Sequence, residues 1–167
     1  MSHDDETFES TESGAALVFP QQAGEIRRGS HIMIKGHPCK VAEVSTSKTG
    51  KHGHAKAHIV ALDLFTNKKY EDLCPTSHNV EVPFVNKTEY QLLSADGDTG
   101  EVQLLTESGE TKDDISLPTF VKIGEPTDED KKTTAEILAA VDNGKENTCI
   151  VLSACGQEKI IQLRIGN

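Results

Sequence analysis

The chain has 167 residues, 35% of them hydrophobic, so it can bury a core in one medium domain or two small ones. Its acidic amino terminus and short apolar runs argue against a secretory signal and a transmembrane helix. The four cysteines show neither Cys-x-x-Cys spacing nor the density of a secreted disulfide scaffold. We therefore expect a soluble, cytoplasmic protein with reduced, buried thiols.

The net charge of -10 is distributed unevenly along the chain. Residues 1–20 hold five acidic residues and no Lys or Arg, which gives -5. Residues 21–87 hold ten Lys and Arg against six acidic residues, which gives +4, and residues 88–167 carry -9. Only the middle segment therefore has the positive charge expected of a segment that binds nucleic acid.

Residues 1–20 are rich in Asp, Glu, Ser and Thr and lack hydrophobic periodicity, which predicts a disordered acidic tail. Short strands with turns between them follow, and no helical period separates them. They are predicted over residues 31–35, 39–45, 54–65, 70–74 and 80–82, with breaks at 36–38 and 66–68. Strands this short and close predict a small, strongly bent β-barrel over residues 21–84.

A second domain is predicted over residues 85–167, because Pro83 ends strand pairing and the charge changes sign there. Strands are predicted over residues 90–94, 102–105, 111–116, 148–154 and 159–165. Between the third and fourth strands, Thr133-x-x-Glu136 has the pattern of a helix capping box, Ile137, Leu138 and Val141 share a face, and Gly144 supplies a stop. Three strands, a helix and two strands fit a five-stranded OB-fold barrel.

The most informative segment is Ser45-Thr-Ser-Lys-Thr-Gly-Lys-His-Gly-His-Ala-Lys56. Gly50 and Gly53 bracket Lys51 and His52, so the backbone can turn tightly and direct the Lys51 side chain outward. A nucleotide-binding P-loop is excluded, because that motif needs glycine where this chain has Ser45 and Ser or Thr where it has His52.

Two catalytic interpretations of this region remain open on the residues alone. His52, His54 and His58 alternate in a way that would place three imidazoles on one side of a strand, as a metal-dependent hydrolase requires. The nearest downstream carboxylate, Asp63, falls on the opposite face by parity. A nucleophilic thiol is the other interpretation, since Cys39 lies near His37 and Cys74 near His78, but the adjacent prolines suggest strand ends and no activating helix terminus.

The segment from Ser45 to Lys56 resembles the translation initiation factor 5A family of eukaryotes and archaea, which is related to bacterial elongation factor P. The resemblance continues through His58, Asp63, Phe65, residues 68–72, Cys74-Pro75, His78-Asn79 and Val82-Pro83. It is specific over residues 20–84 and consistent in element order over the remainder.

This resemblance implies an all-β protein with one short helix, in which an SH3-like barrel precedes an OB-fold barrel. It implies that Lys51 becomes hypusine, through an aminobutyl group that deoxyhypusine synthase takes from spermidine and a hydroxyl group that deoxyhypusine hydroxylase adds. No other cofactor and no metal are implied. The residues that would shape and present the loop are Lys48, Thr49, Gly50, His52, Gly53, His54 and Lys56.

The function implied is that of a ribosome-binding translation factor and not of an enzyme. Hypusine would position the acceptor end of peptidyl-tRNA, promoting elongation through sequences such as consecutive prolines and aiding termination. Candidate contacts to ribosomal or transfer RNA are Arg27, Arg28, Lys35, Lys68 and Lys69. An unmodified RNA-binding β-barrel remains the main alternative, and the acidic OB domain is expected to act as a spacer and protein-contact module.

Overall fold

The computed structural model describes residues 17–48 and 55–167. The chain divides into two compact units, the first ending at Phe84 and the second beginning at Val85. Strands dominate both units, and the described residues contain one α-helix, α1 (Asp128–Ala140). The predicted fold class, an all-β chain with an SH3-like barrel before an OB-fold barrel, is confirmed.

The described residues of the first unit form six strands and a short 3₁₀ turn at Ala23–Glu25. The strands are β1 (Val18–Gln22), β2 (His31–Ile34), β3 (His37–Lys48), β4 (Ala55–Asp63), β5 (Lys69–Pro75) and β6 (Asn79–Pro83). Strands β2 to β5 form an antiparallel sheet in sequence order, and β1 pairs with β6 in a two-stranded sheet. The strands bend around one apolar core, in which Ile32, Ile59 and Ala61 are fully buried.

The tail prediction is wrong at its carboxyl end, because Val18, Phe19 and Pro20 belong to β1. These residues pair with β6, with Val18 opposite Pro83. The centres of the Phe19 and Phe84 rings lie 5.0 Å apart. Local composition did not reveal a partner more than sixty residues away. Residues 1–16 of the predicted tail lie outside the described residues.

The predicted break at residues 36–38 is also wrong in part, since Pro38 lies inside β3. Proline lacks an amide donor, but the Pro38 carbonyl oxygen accepts the Leu64 N–H at 2.9 Å, so the strand continues. The turn consists of Lys35 and Gly36, which both have positive φ, as the type I′ hairpin turn requires.

The second unit contains five strands, the helix α1 and a 3₁₀ turn at Pro118–Phe120. The strands are β7 (Asn86–Ala95), β8 (Val102–Leu105), β9 (Thr111–Lys112), β10 (Thr148–Ala154) and β11 (Gln157–Arg164). Their order in the sheet is β11-β10-β7-β8-β9. The strand predicted over 111–116 is shorter, although Ser116 makes an isolated bridge to Glu101.

Helix α1 runs from Asp128 to Ala140 and begins earlier than predicted. The capping box is Thr127 with Asp130: the Thr127 hydroxyl accepts the Asp130 N–H, and the Asp130 carboxylate accepts the Thr127 N–H. Thr133, the predicted cap, is buried inside the helix, and Leu138 of the predicted apolar face is 40% exposed. The buried face carries Asp130, Thr133, Ile137 and Ala140.

Within residues 17–48 and 55–167, no helix has the length and apolar character needed to cross a membrane.

Candidate functional site

The β3–β4 hairpin presents the connection in which Lys51 lies. The two strands pair from Cys39–Asp63 to the last pair, Lys48–Ala55, with a bulge between Val41 and Glu43. All four residues from Ser45 to Lys48 are exposed, so both faces of β3 meet solvent there. A strand end with two polar, exposed faces buries little and is suited to carrying a loop outward.

The predicted loop residues are only partly described. Lys48 and Lys56 are exposed and lie on facing strands, with Lys56 paired to Ser47 in the register. Lys51, together with Thr49, Gly50, His52, Gly53 and His54, lies outside the described residues.

Arg27 and Arg28 lie beside the middle of β3. Arg27 donates from Nη1 to the backbone carbonyls of Gly24 and Ile26, at 2.9 and 3.2 Å, so part of its guanidinium holds its own turn in place. Arg28 lines two neighbouring clefts of about 670 Å³ each, one shared with Lys40 and the other with Arg27. Of the two arginines, Arg28 therefore has the clearer path to an external anion.

Lys35, Lys68 and Lys69 lie at the other end of the barrel: Lys35 is in the β2–β3 turn, Lys68 is in the β4–β5 connection, and Lys69 begins β5. The 12 residues of β3 separate this end from the Lys51 hairpin, which corresponds to roughly 35 Å of strand. Lys69 pairs with Glu71 at 3.4 Å, whereas the Lys68 amine lies 5.4 Å from the centre of the Tyr70 ring. The five predicted RNA contacts thus fall into two separate groups.

Burial makes two of the thiols, Cys39 and Cys149, poorly suited to nucleophilic chemistry. Cys39 and Cys149 are buried, but Cys74 and Cys155 are only half-buried. Burial, aided by the negative charge of Asp63, raises the pKa of Cys39 to about 11. Burial also raises the pKa of Cys149 to about 12, so both remain protonated at neutral pH.

His58 is the one member of the histidine series that the structure describes. It is exposed on β4, and its Nε2 lies 3.6 Å from a carboxylate oxygen of Glu71. Asp63 is buried on the opposite face, as strand parity predicted. Among the described residues, no three His, Cys, Asp or Glu side chains are grouped to hold a metal ion.

Both units match models of one protein family. Residues 17–78 match the model described as translation initiation factor 5A-like, N-terminal, and residues 84–164 match eukaryotic elongation factor 5A hypusine, DNA-binding OB fold. Eukaryotic translation initiation factor 5A-3 of Arabidopsis thaliana is 51% identical over 164 residues, which cover 98% of this chain and 97% of that protein. The chain belongs to the eukaryotic translation initiation factor 5A family.

Solved structures of the 5A family share both units. A translation initiation factor 5A family protein from Naegleria fowleri superposes with a TM-score of 0.79 at 49% identity, covering 89% of this chain and 99% of that one. The eukaryotic translation initiation factor 5A of Methanococcus jannaschii gives 0.64 at 28% identity, covering 90% and 97%. The chain is therefore a translation factor, as its sequence indicated.

In the OB domain of this 5A-family factor, carboxylates engage two of the lysines. Lys112 reaches Asp114 at 2.8 Å and Glu158 at 3.0 Å, and its amine lies 5.8 Å from the centre of the Tyr90 ring. Partial burial acts to lower the pKa of Lys112, but hydrogen bonds and charges from the two carboxylates outweigh it and raise that pKa. Lys159 forms a buried pair with Asp130 at 2.7 Å.

Sequence reasoning missed a cluster at the barrel end that carries Lys35 and Lys68. The rings of His37 and Tyr70 stack there, with centroids 4.6 Å apart and planes 15° from parallel. The buried carboxylate of Asp63 lies 3.4 Å from His37 Nδ1. His37 is distant in sequence from Asp63 and Tyr70. The one available signal was that strand pairing brings the starts of β3 and β5 to the same end as the finish of β4.

Proposed function

We propose that Lys51 is the modified residue of this 5A-family translation factor. Deoxyhypusine synthase transfers an aminobutyl group from spermidine to the Lys51 amine, and deoxyhypusine hydroxylase then adds a hydroxyl group. The β3–β4 hairpin is the observation that carries this proposal, because its exposed, polar end bears the connection containing Lys51. The family model matched by the second unit names hypusine in its description.

The hairpin suits this role for physical reasons. An aminobutyl arm roughly doubles the reach of a lysine side chain and adds a second cationic amine. Lys48 and Lys56 are exposed at the hairpin end and add positive charge beside the connection. A slender polycation can enter a space too narrow for a loop backbone and bind ribose and phosphate there.

The proposed target is peptidyl-tRNA on a cytoplasmic ribosome. Hypusine would hold the acceptor end of that tRNA while the basic side chains of the first unit contact ribosomal or transfer RNA. The ribosome supplies the catalytic groups, so the factor contributes orientation of the reactants and is not itself an enzyme. Peptidyl-tRNAs that react slowly, such as those at consecutive prolines, would be accelerated most. Termination would also be aided.

Replacement of Lys51 by arginine tests this function directly. Lys51→Arg keeps the positive charge, but arginine is not a substrate for aminobutyl transfer, so we expect the variant to fail to support growth of a strain depleted of its own factor. Lys40→Arg is the matched control, because Lys40 is an exposed lysine of the same hairpin that lies outside the Lys51 segment, and it should support growth.

Growth supported by Lys51→Arg would contradict the proposal and would favour an RNA-binding barrel that acts through charge alone. The metal-dependent hydrolase interpretation has its own test. It requires stoichiometric zinc in protein purified without added metal and loss of that zinc in His58→Ala.

A further inference from the structure

The His37–Tyr70 stack closes the end of the first barrel that lies away from the Lys51 hairpin. Tyr70 packs against the apolar core, and His37 covers it in a nearly parallel stack. The His37 side chain is 45% exposed. Because one face of the imidazole lies against Tyr70, its exposure leaves a flat aromatic surface open to solvent.

Asp63 holds that surface in a fixed orientation. Its Oδ1 atom accepts the N–H groups of Phe65 and Thr66, at 2.8 and 3.2 Å, which fixes the carboxylate in the β4–β5 turn. Its Oδ2 atom lies 3.4 Å from His37 Nδ1. A ring held by a buried carboxylate and a second ring loses little further freedom when a ligand stacks on it.

Two lysines flank the stack. Lys35 lies two residues before His37 and has a φ of 51°, a conformation that asparagine or glycine adopts more easily. Lys68 precedes Tyr70, with its amine 5.4 Å from the centre of that ring. A lysine kept at a strained turn position suggests that its side chain has a use outside the fold.

We propose that this end of the barrel binds an unpaired RNA nucleotide, whose base stacks on His37 while Lys35 and Lys68 contact the adjacent phosphates. Aromatic rings with flanking cations bind single-stranded nucleic acid in this way. An acidic peptide would use the lysines but would leave the flat ring unused. The inference rests on the proposed function only in that the factor works on RNA, and it adds a second contact about 35 Å of strand away from the Lys51 hairpin.

The test compares two single-stranded RNA probes of equal charge, an octaadenylate and an octamer with abasic sites, with the unmodified full chain at low salt. The ratio of the two dissociation constants isolates base stacking from charge. We expect octaadenylate to bind about fivefold tighter or more, as one stacked base provides. His37→Ala should bring the ratio to about one. His58→Ala should leave it unchanged, since that histidine is equally exposed, at 46%, but does not stack on Tyr70.

Lys35→Asn separates ligand binding from a purely structural role. Asparagine suits the left-handed turn position, so this variant should raise the melting temperature of the chain while weakening its binding to both probes. If the cluster serves only to cover the core, Lys35→Asn raises the melting temperature and leaves binding intact, which overturns the proposal.

Three further results would overturn the proposal: no measurable binding of octaadenylate, a wild-type ratio near one, or equal competition by oligoglutamate. The outcome does not depend on hypusine, because the protein used is unmodified. Failure here and failure of Lys51 modification are thus distinguishable.

Discussion

The two units of the chain use their polar side chains in different ways. Among the described residues, Asp63 is the one buried charged or polar side chain of the first unit, whereas the second unit buries Asp130, Thr133, Asn147 and Lys159. Arg28, Lys35 and Lys68 of the first unit are exposed in the connections between strands, while Lys112 and Lys159 of the second unit are held by carboxylates. The buried charge of the first unit therefore fixes one turn, whereas the buried charges of the second unit join α1 to β11.

The buried pair between Lys159 and Asp130 gives the largest expected effect. Lys159→Met leaves the Asp130 carboxylate buried without its cation, so we expect the free energy of unfolding of the second unit to fall by about 3–5 kcal/mol. Hydrogen exchange, measured for each peptide at increasing urea concentrations, should show this loss of stability in residues 85–167 and no loss in the first unit.

The double variant Lys159→Met with Asp130→Leu is the control, because it removes both charges. It should recover much of the loss, less about 1 kcal/mol for the missing helix cap. A single variant as stable as the wild type would show that the pair does not hold this unit together.

Asp63 gives the corresponding test in the first unit. Asp63→Ala removes the acceptor of the Phe65 and Thr66 N–H groups, so we expect a loss of about 1–3 kcal/mol. Asp63→Asn keeps an oxygen at that position and should cost less. Thermal unfolding followed by circular dichroism measures both, and equal losses would contradict the assigned role of the carboxylate oxygen.

The smallest expected effect concerns pH in the second unit. The hydrogen bond from Lys112 lowers the pKa of the Asp114 carboxyl. The pKa of Asp114 is therefore lower in the folded state than in the unfolded state. Its contribution to the free energy of unfolding is complete above about pH 4, the usual aspartate pKa, and is lost as the pH falls through the folded-state pKa. This contribution to stability should be below about 1 kcal/mol, since Asp114 is largely exposed.

Lys112→Met removes this contribution, so its stability should fall less steeply than that of the wild type on acidification. Urea titrations between about pH 5 and pH 2 would show the difference. Parallel curves for the two proteins would mean that the surface pair adds nothing measurable.

Local sequence signals were sufficient for the hairpins. Short strand-like runs bounded by turn residues predicted β3 and β4 around the Lys51 segment, and β10 and β11 near the end of the chain. The start of α1 was not predictable in the same way, because Thr127-x-x-Asp130 and Thr133-x-x-Glu136 fit the same capping pattern. Burial of Asp130 against Lys159, 29 residues further along the chain, distinguishes the two.

The candidate site was predictable to a different degree at its two ends. The Lys51 segment is contiguous, so its glycines and its resemblance to the 5A family sufficed to select it. The stack of His37 on Tyr70 depends on the register of three strands, and no short motif contains it. Lys35 was selected for its charge, whereas the structure adds the positive φ that makes the position unusual.

Peptide mass spectrometry of protein from its own cells tests the central claim most directly. We expect Lys51 to carry one added aminobutyl group and one added oxygen atom, with Lys48 and Lys56 bare. The same protein made in bacteria that lack the modifying enzymes should carry an unmodified Lys51. An unmodified Lys51 throughout the native protein would contradict the account.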